Sequence, residues 1–180
     1  MGFILTDKTK EYYRMKELNN IKNYKPNKVE LAYMAGIMDG EGSVSIIKTN
    51  LKGRNPCHVA NTRVAMLDKA ALLLFKKSFG FARVSKDTSR NGYRGIYRWD
   101  ARGPEVGIVL EALFPYLRVK RKQAKLVLRF LKTRKLFWPR KGVKRSSLRL
   151  TKKELEHRES LRDKVLRLNW RGKVKDMPIS

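Results

Sequence analysis

The residues of this chain best suited to chemistry form the run Gly40-Glu41-Gly42, which ends a predicted helix. A carboxylate between two glycines is poorly shielded by its neighbours, so Glu41 can reach a ligand. Magnesium prefers hard oxygen ligands and combines one or two carboxylates with phosphate and water oxygens. The run therefore predicts a carboxylate that holds a divalent cation against phosphates. The alternative is an ordinary acid at a helix end, and Asp39 is predicted to be a structural hydrogen-bonding group there.

The net charge indicates a polyanionic partner. The chain has 43 lysine and arginine residues against 16 aspartate and glutamate residues, which gives +27. Such a charge favours DNA, RNA or an anionic membrane surface as the partner. A membrane span is not expected, because no apolar run approaches the roughly 20 residues that a span needs. From Ala112 to Lys153 there is no acidic residue; we expect this region to contact phosphates, beyond merely keeping the surface soluble.

Length and cysteine content set the broad class of the protein. The 180 residues, of which 42% are apolar, suffice for one domain with a hydrophobic core. The single cysteine, Cys57, can form no internal disulfide or zinc cluster, and residues 1–10 lack the long apolar segment of a signal peptide. We therefore expect an intracellular protein. Its predicted divisions are an N-terminal extension over 1–27, either a solvated arm or a DNA-contacting one, a domain over 28–170 and a tail over 171–180.

Small residues recur on one face of the first predicted helix, over 28–39. Ala32, Gly36 and Gly40 are four residues apart, a spacing that lets two helix backbones approach closely. One interpretation is tight packing against the sheet of the same chain. The other is pairing with the same helix of a second copy about a two-fold axis. In that case the two Glu41 side chains converge near the axis, and each can serve one strand of a duplex.

Hydrophobic periodicity predicts the remaining elements. Two pairs of alternating strands are separated by a helix over 69–79, which Gly80 ends. Three further helices follow, and Thr151 with Glu154 predicts a capping box at the start of the last. The predicted strands cover 43–47, 58–66, 81–87 and 93–100, with turns at 51–56 and 91–92; the later helices cover 104–113, 122–134 and the segment after Thr151, with a basic loop over 138–147 and an apolar stripe of Leu155, Leu161, Val165 and Leu168.

Two segments carry a resemblance to a known family. Met34–Gly42 resembles the LAGLIDADG motif of the homing endonucleases, and Gly42-Ser43 extends the match into the first strand. Residues 117–128 resemble the segment that delivers the family's active-site lysine, with which Lys120 aligns. The order of helix, hairpin, helix and hairpin also fits. The resemblance covers about residues 28–170.

The resemblance implies a fold, a site and an activity. The fold is α+β, an αββαββα arrangement with a curved antiparallel sheet over the DNA major groove, plus additional C-terminal helices. Glu41 is then the metal-binding acid, Gly40 offers its backbone carbonyl to Mg²⁺ or another divalent cation such as Mn²⁺, and Lys120 orients the hydrolytic water or stabilises the phosphorane charge. Cleavage crosses the minor groove and leaves 3′ overhangs. With a single motif, the protein acts as a homodimer on a long, near-palindromic site, with Ala32, Gly36 and Gly40 at the dimer interface.

One position departs from the family pattern. Members often place a polar residue, commonly glutamine, after the second strand, where it organises active-site water. Here that position falls on Met66, or on Leu67 if the register shifts by one residue, with Lys69 as a substitute.

The outward face of the strands is predicted to contact bases. Arginine suits guanine O6 and N7, and asparagine suits adenine; each candidate is alternatively an ordinary solvated strand residue. The candidates are Ser43, Ser45, Thr49, Asn61, Arg63, Arg83, Ser85, Arg94 and Arg98.

Two rival functions keep the fold and dispense with cutting. The chain can be a maturase that binds intron RNA, or a DNA-binding regulator. The presence of both Glu41 and Lys120 favours a nuclease, because a protein that only binds DNA has no need for an acid facing phosphates.

Overall fold

The computed structural model describes residues 24–50, 56–87, 95–133 and 151–170. The elements are α1 (Lys28–Glu41), β1 (Gly42–Thr49), β2 (Cys57–Met66), α2 (Lys69–Phe79), β3 (Val84–Asp87), β4 (Ile96–Arg102), α3 (Glu105–Leu113), α4 (Arg121–Thr133) and α5 (Lys152–Asn169). The α+β class and the αββαββα order followed by additional helices are confirmed.

The four strands form one antiparallel sheet in the order β1-β2-β4-β3. One row across it runs from Gly42 through Val64 and Trp99 to Val84. Val64 and Trp99 are fully buried, so this face of the sheet carries the core. Because side chains alternate between faces, the neighbouring row of Ser43, Arg63 and Asp100 belongs to the opposite, outer face.

The helices cover the inner face of the sheet. Phe75 of α2 lies against Trp99, with 5.1 Å between the ring centroids. Val127 of α4 and Val165 of α5 join the same buried cluster. None of the helices in the described ranges is long and apolar enough to cross a membrane.

Local signals account for the helix ends. The carboxylate of Glu30 accepts from the amide N–H of Asn27, whose side-chain oxygen accepts from the N–H of Glu30 in return. Thr151 and Glu154 form the predicted box at the start of α5. Gly80 ends α2 in the left-handed region, with φ 64°.

Among the element boundaries that differ from prediction, three affect residues discussed below. Helix α1 includes Gly40 and ends at Glu41, so the acid is the last helical residue and does not lie beyond the helix. Strand β3 begins at Val84, because Gly80 and Ala82 (φ 69°) both turn the backbone out of the extended region. Strand β4 continues past Asp100 to Arg102.

Helix α5 buries a different set of side chains from the predicted stripe. Leu161 and Val165 are buried as expected, but Leu168 is 40% exposed and Arg158 is buried. The end of α5 is held by polar bonds instead, since the side-chain amide of Asn169 donates to the Val44 carbonyl at 2.9 Å. Several predicted features lie outside the described residues: positions 51–55 of the turn at 51–56, the turn at 91–92, Arg94, the basic loop over 138–147, and the chain ends over 1–23 and 171–180.

A partly buried polar cluster of Lys48, His58 and Glu159 joins α5 to the first hairpin. Glu159 lies 2.5 Å from Lys48 Nζ and 3.2 Å from Nε2 of the fully buried His58. Desolvation lowers the pKa of His58, although Glu159 opposes that shift. Burial alone would raise the pKa of Glu159, but Lys48 and His58 hold it below its usual value. Sequence alone did not reveal this contact, because its members are about a hundred residues apart.

Candidate active site

The small-residue face of α1 is open. The opposite side of α1 carries the buried Met34, Ala35 and Met38 and packs on the sheet of its own chain. The small-residue face is therefore turned away from that sheet. A Cβ added at Gly36 or at Gly40 would meet nothing within 4 Å. Two large side chains are exposed along the same side of the helix: Val29, at 77%, and Tyr33, at 54%. Ala32 is exposed there as well. Packing against the described part of the chain therefore does not explain the spacing of Ala32, Gly36 and Gly40.

Glu41 occupies the junction between α1 and β1. Its side chain is exposed, and Gly42 begins β1 without an intervening loop. The N–H of Gly42 donates to the carbonyl of Met38. A Cβ at Gly42 would lie 2.5 Å from that carbonyl oxygen and closer still to the Met38 sulfur. Glycine is thus required here by close packing, and the helix passes directly into the strand with the acid at the joint.

Asp39 ties this joint to the segment before α4. Its carboxylate accepts from the backbone N–H groups of Arg118 at 2.7 Å, Val119 at 3.1 Å and Lys120 at 2.8 Å. The Nζ of Lys120 donates to the backbone carbonyl of Asp39. Asp39 is a structural hydrogen-bonding group as predicted, but its partners lie about eighty residues away along the chain and not in its own helix.

Lys120 is consequently held at the end of α1. It is only 7% exposed, and its ammonium contacts a carbonyl two residues before Glu41. The structure places Lys120 at the same helix end that carries Glu41. An exposed carboxylate and a nearly buried ammonium at one place can bind a cation and, next to it, stabilise negative charge on a phosphate.

The chemistry of this helix end suits a hard divalent cation. The last carbonyls of an α-helix have no partner within the helix, and its C-terminal end carries partial negative charge. The last turn of α1 contains no basic residue. Over the described ranges, no group of three or more histidine, cysteine or acidic side chains converges. One protomer thus offers Glu41 and nearby backbone oxygens, a donor set that suits magnesium completed by phosphate and water oxygens.

The outer face of the sheet carries most of the predicted base-contacting residues. Ser43 lies opposite Arg63, Ser45 opposite Asn61, and Arg98 opposite Ser85. Thr49 follows on the same face of β1. Arg63 Nε lies 2.5 Å from the Asp100 carboxylate, so the two side chains form an ion pair on the outer face.

Three predicted residues differ from the rest. Asn61 lies on the outer face as predicted but is only 4% exposed, so it presents little surface to a base in this structure. Arg83 is exposed but precedes β3 and belongs to no strand. Arg94 lies outside the described residues. The prediction also missed Arg102, which is exposed opposite Asn61; the alternation of Arg98, Asp100 and Arg102 was the signal that could have found it.

The position after β2 where homing endonucleases often have a polar residue falls on Met66 or Leu67 in this chain. Met66 is partly buried against the core, and Leu67 is 62% exposed. Lys69 Nζ lies 5.6 Å from the centre of the Tyr97 ring. Met66 and Leu67 thus supply no polar group at the position where the family commonly has one.

Solved structures similar to this chain share its fold. Two are complexes of the homing endonuclease I-CvuI with DNA targets, one with Mg and one with Ca. The first covers 82% of this chain and 85% of its own, at 24% identity and TM-score 0.65. The second covers 84% and 87%, at 25% identity and TM-score 0.64. No family model matches the sequence, and neither does any curated protein.

More distant structures show the same fold. The archaeal intron-encoded homing endonuclease I-Vdi141I, complexed with DNA, matches 81% of this chain and 87% of its own at 12% identity and TM-score 0.63. The LAGLIDADG homing endonuclease I-GzeII, in complex with a DNA target, matches 80% of this chain but only 45% of its own, at 15% identity and TM-score 0.52. The chain has the fold of the LAGLIDADG homing endonucleases, as the run Met34–Gly42 predicted.

Proposed function

We propose that this chain, with the fold of the LAGLIDADG homing endonucleases, is a site-specific DNA endonuclease, a hydrolase that cuts both strands of a duplex. The observation that carries the proposal is the joint between α1 and β1, where Lys120 Nζ donates to Asp39 beside the exposed Glu41. A scaffold used only for binding has no need to hold a buried ammonium next to a free acid. The net charge of +27 supplies the attraction to the phosphate backbone.

The chemistry is divided among three groups at the end of α1. Glu41, with the backbone carbonyl of Gly40, holds a divalent cation, magnesium or another such as manganese. When bound, that cation stabilises the negative charge that develops on the phosphate oxygens. Lys120 orients the attacking water or adds positive charge beside the reacting phosphate. Asp39 fixes the backbone from which Lys120 projects.

The unit that cuts is a homodimer. The exposed face of α1, with Gly36 and Gly40 open and Val29 and Tyr33 uncovered, suits the same face of a second copy. The chain matches 45% of I-GzeII, so that protein is long enough to contain the fold about twice. A two-fold axis through the paired helices brings the two Glu41 residues together, one for each strand. It also predicts a long, near-palindromic target, cut across the minor groove to leave 3′ overhangs.

The outer face of the sheet recognises the target. Ser43, Ser45, Thr49, Arg63, Ser85 and Arg98 present donors and acceptors along the strands, with Arg83 and Arg102 at their ends. Arginine reads guanine through O6 and N7. Asn61 contributes only if its neighbours move on binding, because it is buried in this structure.

The decisive experiment incubates the full chain with a randomised duplex DNA library and magnesium, and then sequences the ends. We expect one long, near-palindromic site with 3′ overhangs. Glu41→Gln keeps the shape of the side chain but removes its charge, so this variant should not cut and should still bind the recovered site. A folded Glu41→Gln protein that cuts like the wild type would refute the role of Glu41.

The rival functions give different results in the same experiment. A maturase that binds intron RNA would prefer a structured RNA to duplex DNA. A regulator would bind one duplex tightly and leave it intact with every divalent cation tested. Either result, obtained with folded protein, would remove the endonuclease proposal.

A further inference from the structure

One side of helix α4 is entirely basic at its charged positions. We call it the α4 stripe, and apart from Thr133 it contains every exposed residue of that helix. The stripe consists of Arg121, Lys122, Lys125, Arg129 and Lys132.

The α4 stripe points away from the sheet. The opposite side of α4 carries Ala124, Val127 and Leu128, all within the core cluster that also contains Val44 and Val64 of the inner sheet face. A duplex on the outer face of the sheet therefore lies on the other side of the sheet from this helix. The α4 stripe is not part of the proposed base-reading surface.

The arrangement is unfavourable for the isolated protein. Arg121 and Lys125, and then Lys125 and Arg129, are four residues apart, and like charges at this spacing destabilise a helix. Within the described ranges, Glu111 of α3 interacts with Lys132 of the stripe. Burial raises the pKa of Glu111, and Lys132 counteracts that shift. A polyanion bound along the helix would relieve the repulsion between the like charges at positions 121, 125 and 129.

The dimensions of the α4 stripe match a phosphate backbone. A helix rises about 1.5 Å per residue, so Arg121 and Lys132 lie about 16 Å apart along the axis. Each strand of a duplex carries one phosphate for about every 3.4 Å of its length. Five positive charges along that span can contact several phosphates of one strand, with no requirement for a particular base sequence.

We propose that the α4 stripe binds the sugar–phosphate backbone of a second nucleic-acid segment, distinct from the duplex on the sheet. The protein then holds two segments at once, one on each side of the domain. The partner is recognised by its phosphates, so the chemistry is shared by DNA and RNA duplexes.

The test removes two charges from the α4 stripe and two from a helix of mixed charge. The variant is Lys125→Gln with Arg129→Gln. The matched control is Lys164→Gln with Arg167→Gln on α5, where both positions are exposed and lie close to Glu159 and Asp163 in sequence. Both double variants lower the net charge equally, so the overall field changes by the same amount.

Binding of a 20-base-pair duplex, as DNA and as RNA, is measured by analytical ultracentrifugation in EDTA over a salt series. We expect the wild type to bind a second duplex at excess probe, and the α4 variant to lose that event or lower its salt slope by about 2, one unit per phosphate contact. The α5 control should bind the second duplex with a dissociation constant within about twofold of the wild-type value, since this variant retains the five charges of the stripe. The tighter of the two probes identifies the source of the backbone.

A photo-crosslinking amino acid at position 125 or 164 gives a second readout. We expect crosslinks from 125 to a second probe when the first is already bound, and few from 164. An unchanged thermal unfolding midpoint, or a raised one, in the α4 variant shows that it is folded. Equal loss of the second event in both double variants, or no second event in the wild type, would overturn the proposal.

Discussion

Removing the carboxylate of Asp39 tests whether Lys120 must be held in place for cutting. Asp39→Ala deletes the acceptor of three backbone N–H bonds, from Arg118, Val119 and Lys120. Water can replace two of these bonds because they are exposed, whereas the bond from Lys120 is partly buried. A bond to a charged group contributes about 1.5–3 kcal/mol, so we expect a loss of about 2 kcal/mol of unfolding free energy. For a domain of this size that lowers the unfolding midpoint by about 4–8 °C.

Catalysis should suffer more than binding. Without the carboxylate, the backbone that carries Lys120 is free to shift, and its ammonium loses its fixed place beside Glu41. We expect the cutting rate at saturating target to fall at least tenfold, while the dissociation constant of the target changes less than threefold. Single-turnover cleavage gives the first quantity, and fluorescence anisotropy in calcium gives the second.

Thr151→Ala is the matched control for stability. Thr151 caps α5 by accepting from the N–H of Glu154 at 3.2 Å, and loss of such a cap costs about 1 kcal/mol. Thr151 lies about 27 Å along α5 from Asn169, the residue that contacts Val44 of β1, so the cutting rate of this variant should stay near that of the wild type. An Asp39→Ala protein that is folded and cuts at the wild-type rate would show that the bonds between Asp39 and residues 118–120 are not needed for cutting. An equal fall in the two variants would show that general stability is responsible.

Three further predictions concern the rest of the site and the core. Gly42→Ala should destabilise the protein by about 1–3 kcal/mol in urea unfolding, because the added Cβ meets the Met38 carbonyl at 2.5 Å; an unchanged midpoint would contradict that packing. Gly36→Leu should convert a dimer to a monomer in sedimentation equilibrium, and a normal dimer would show that this helix face is not the interface. His58 has a lowered pKa in the folded state. Its contribution to stability is therefore complete above its ordinary value of 6.5 and is lost as pH falls below it, so urea unfolding between pH 7 and about pH 5 should show a loss that His58→Asn flattens.

Local rules predicted much of the architecture. The capping box at Thr151, the helix end at Gly80 and the alternation along β2 each depend on residues close together in sequence. The same is true of the acid at the end of α1, since a glycine on each side marks its position. These features need no knowledge of the rest of the chain.

Long-range packing accounts for what the sequence did not disclose. The bonds from Asp39 to residues 118–120 depend on how α1 meets the segment before α4, and no periodicity encodes that contact. Asn61 has the alternation of an outer-face residue, yet its neighbours cover it. Leu168 fits an apolar stripe, but α5 ends on polar bonds to Val44 and the side chain stays exposed.

Because α1 passes directly into β1, each position along the strand lies at a fixed distance from Glu41. Ser43 is two residues from Glu41, about 7 Å of chain, so under the proposed function the bases that it reads lie next to the cut phosphate. Thr49 is six residues farther, about 20 Å at 3.3 Å per residue, which equals about six base pairs of duplex. Because no loop separates acid from strand, the register between cut and sequence is fixed in the backbone. Retargeting the enzyme would then require exchanging outward-facing side chains along β1, starting at the end farthest from Glu41, while the joint between α1 and β1 is left unchanged.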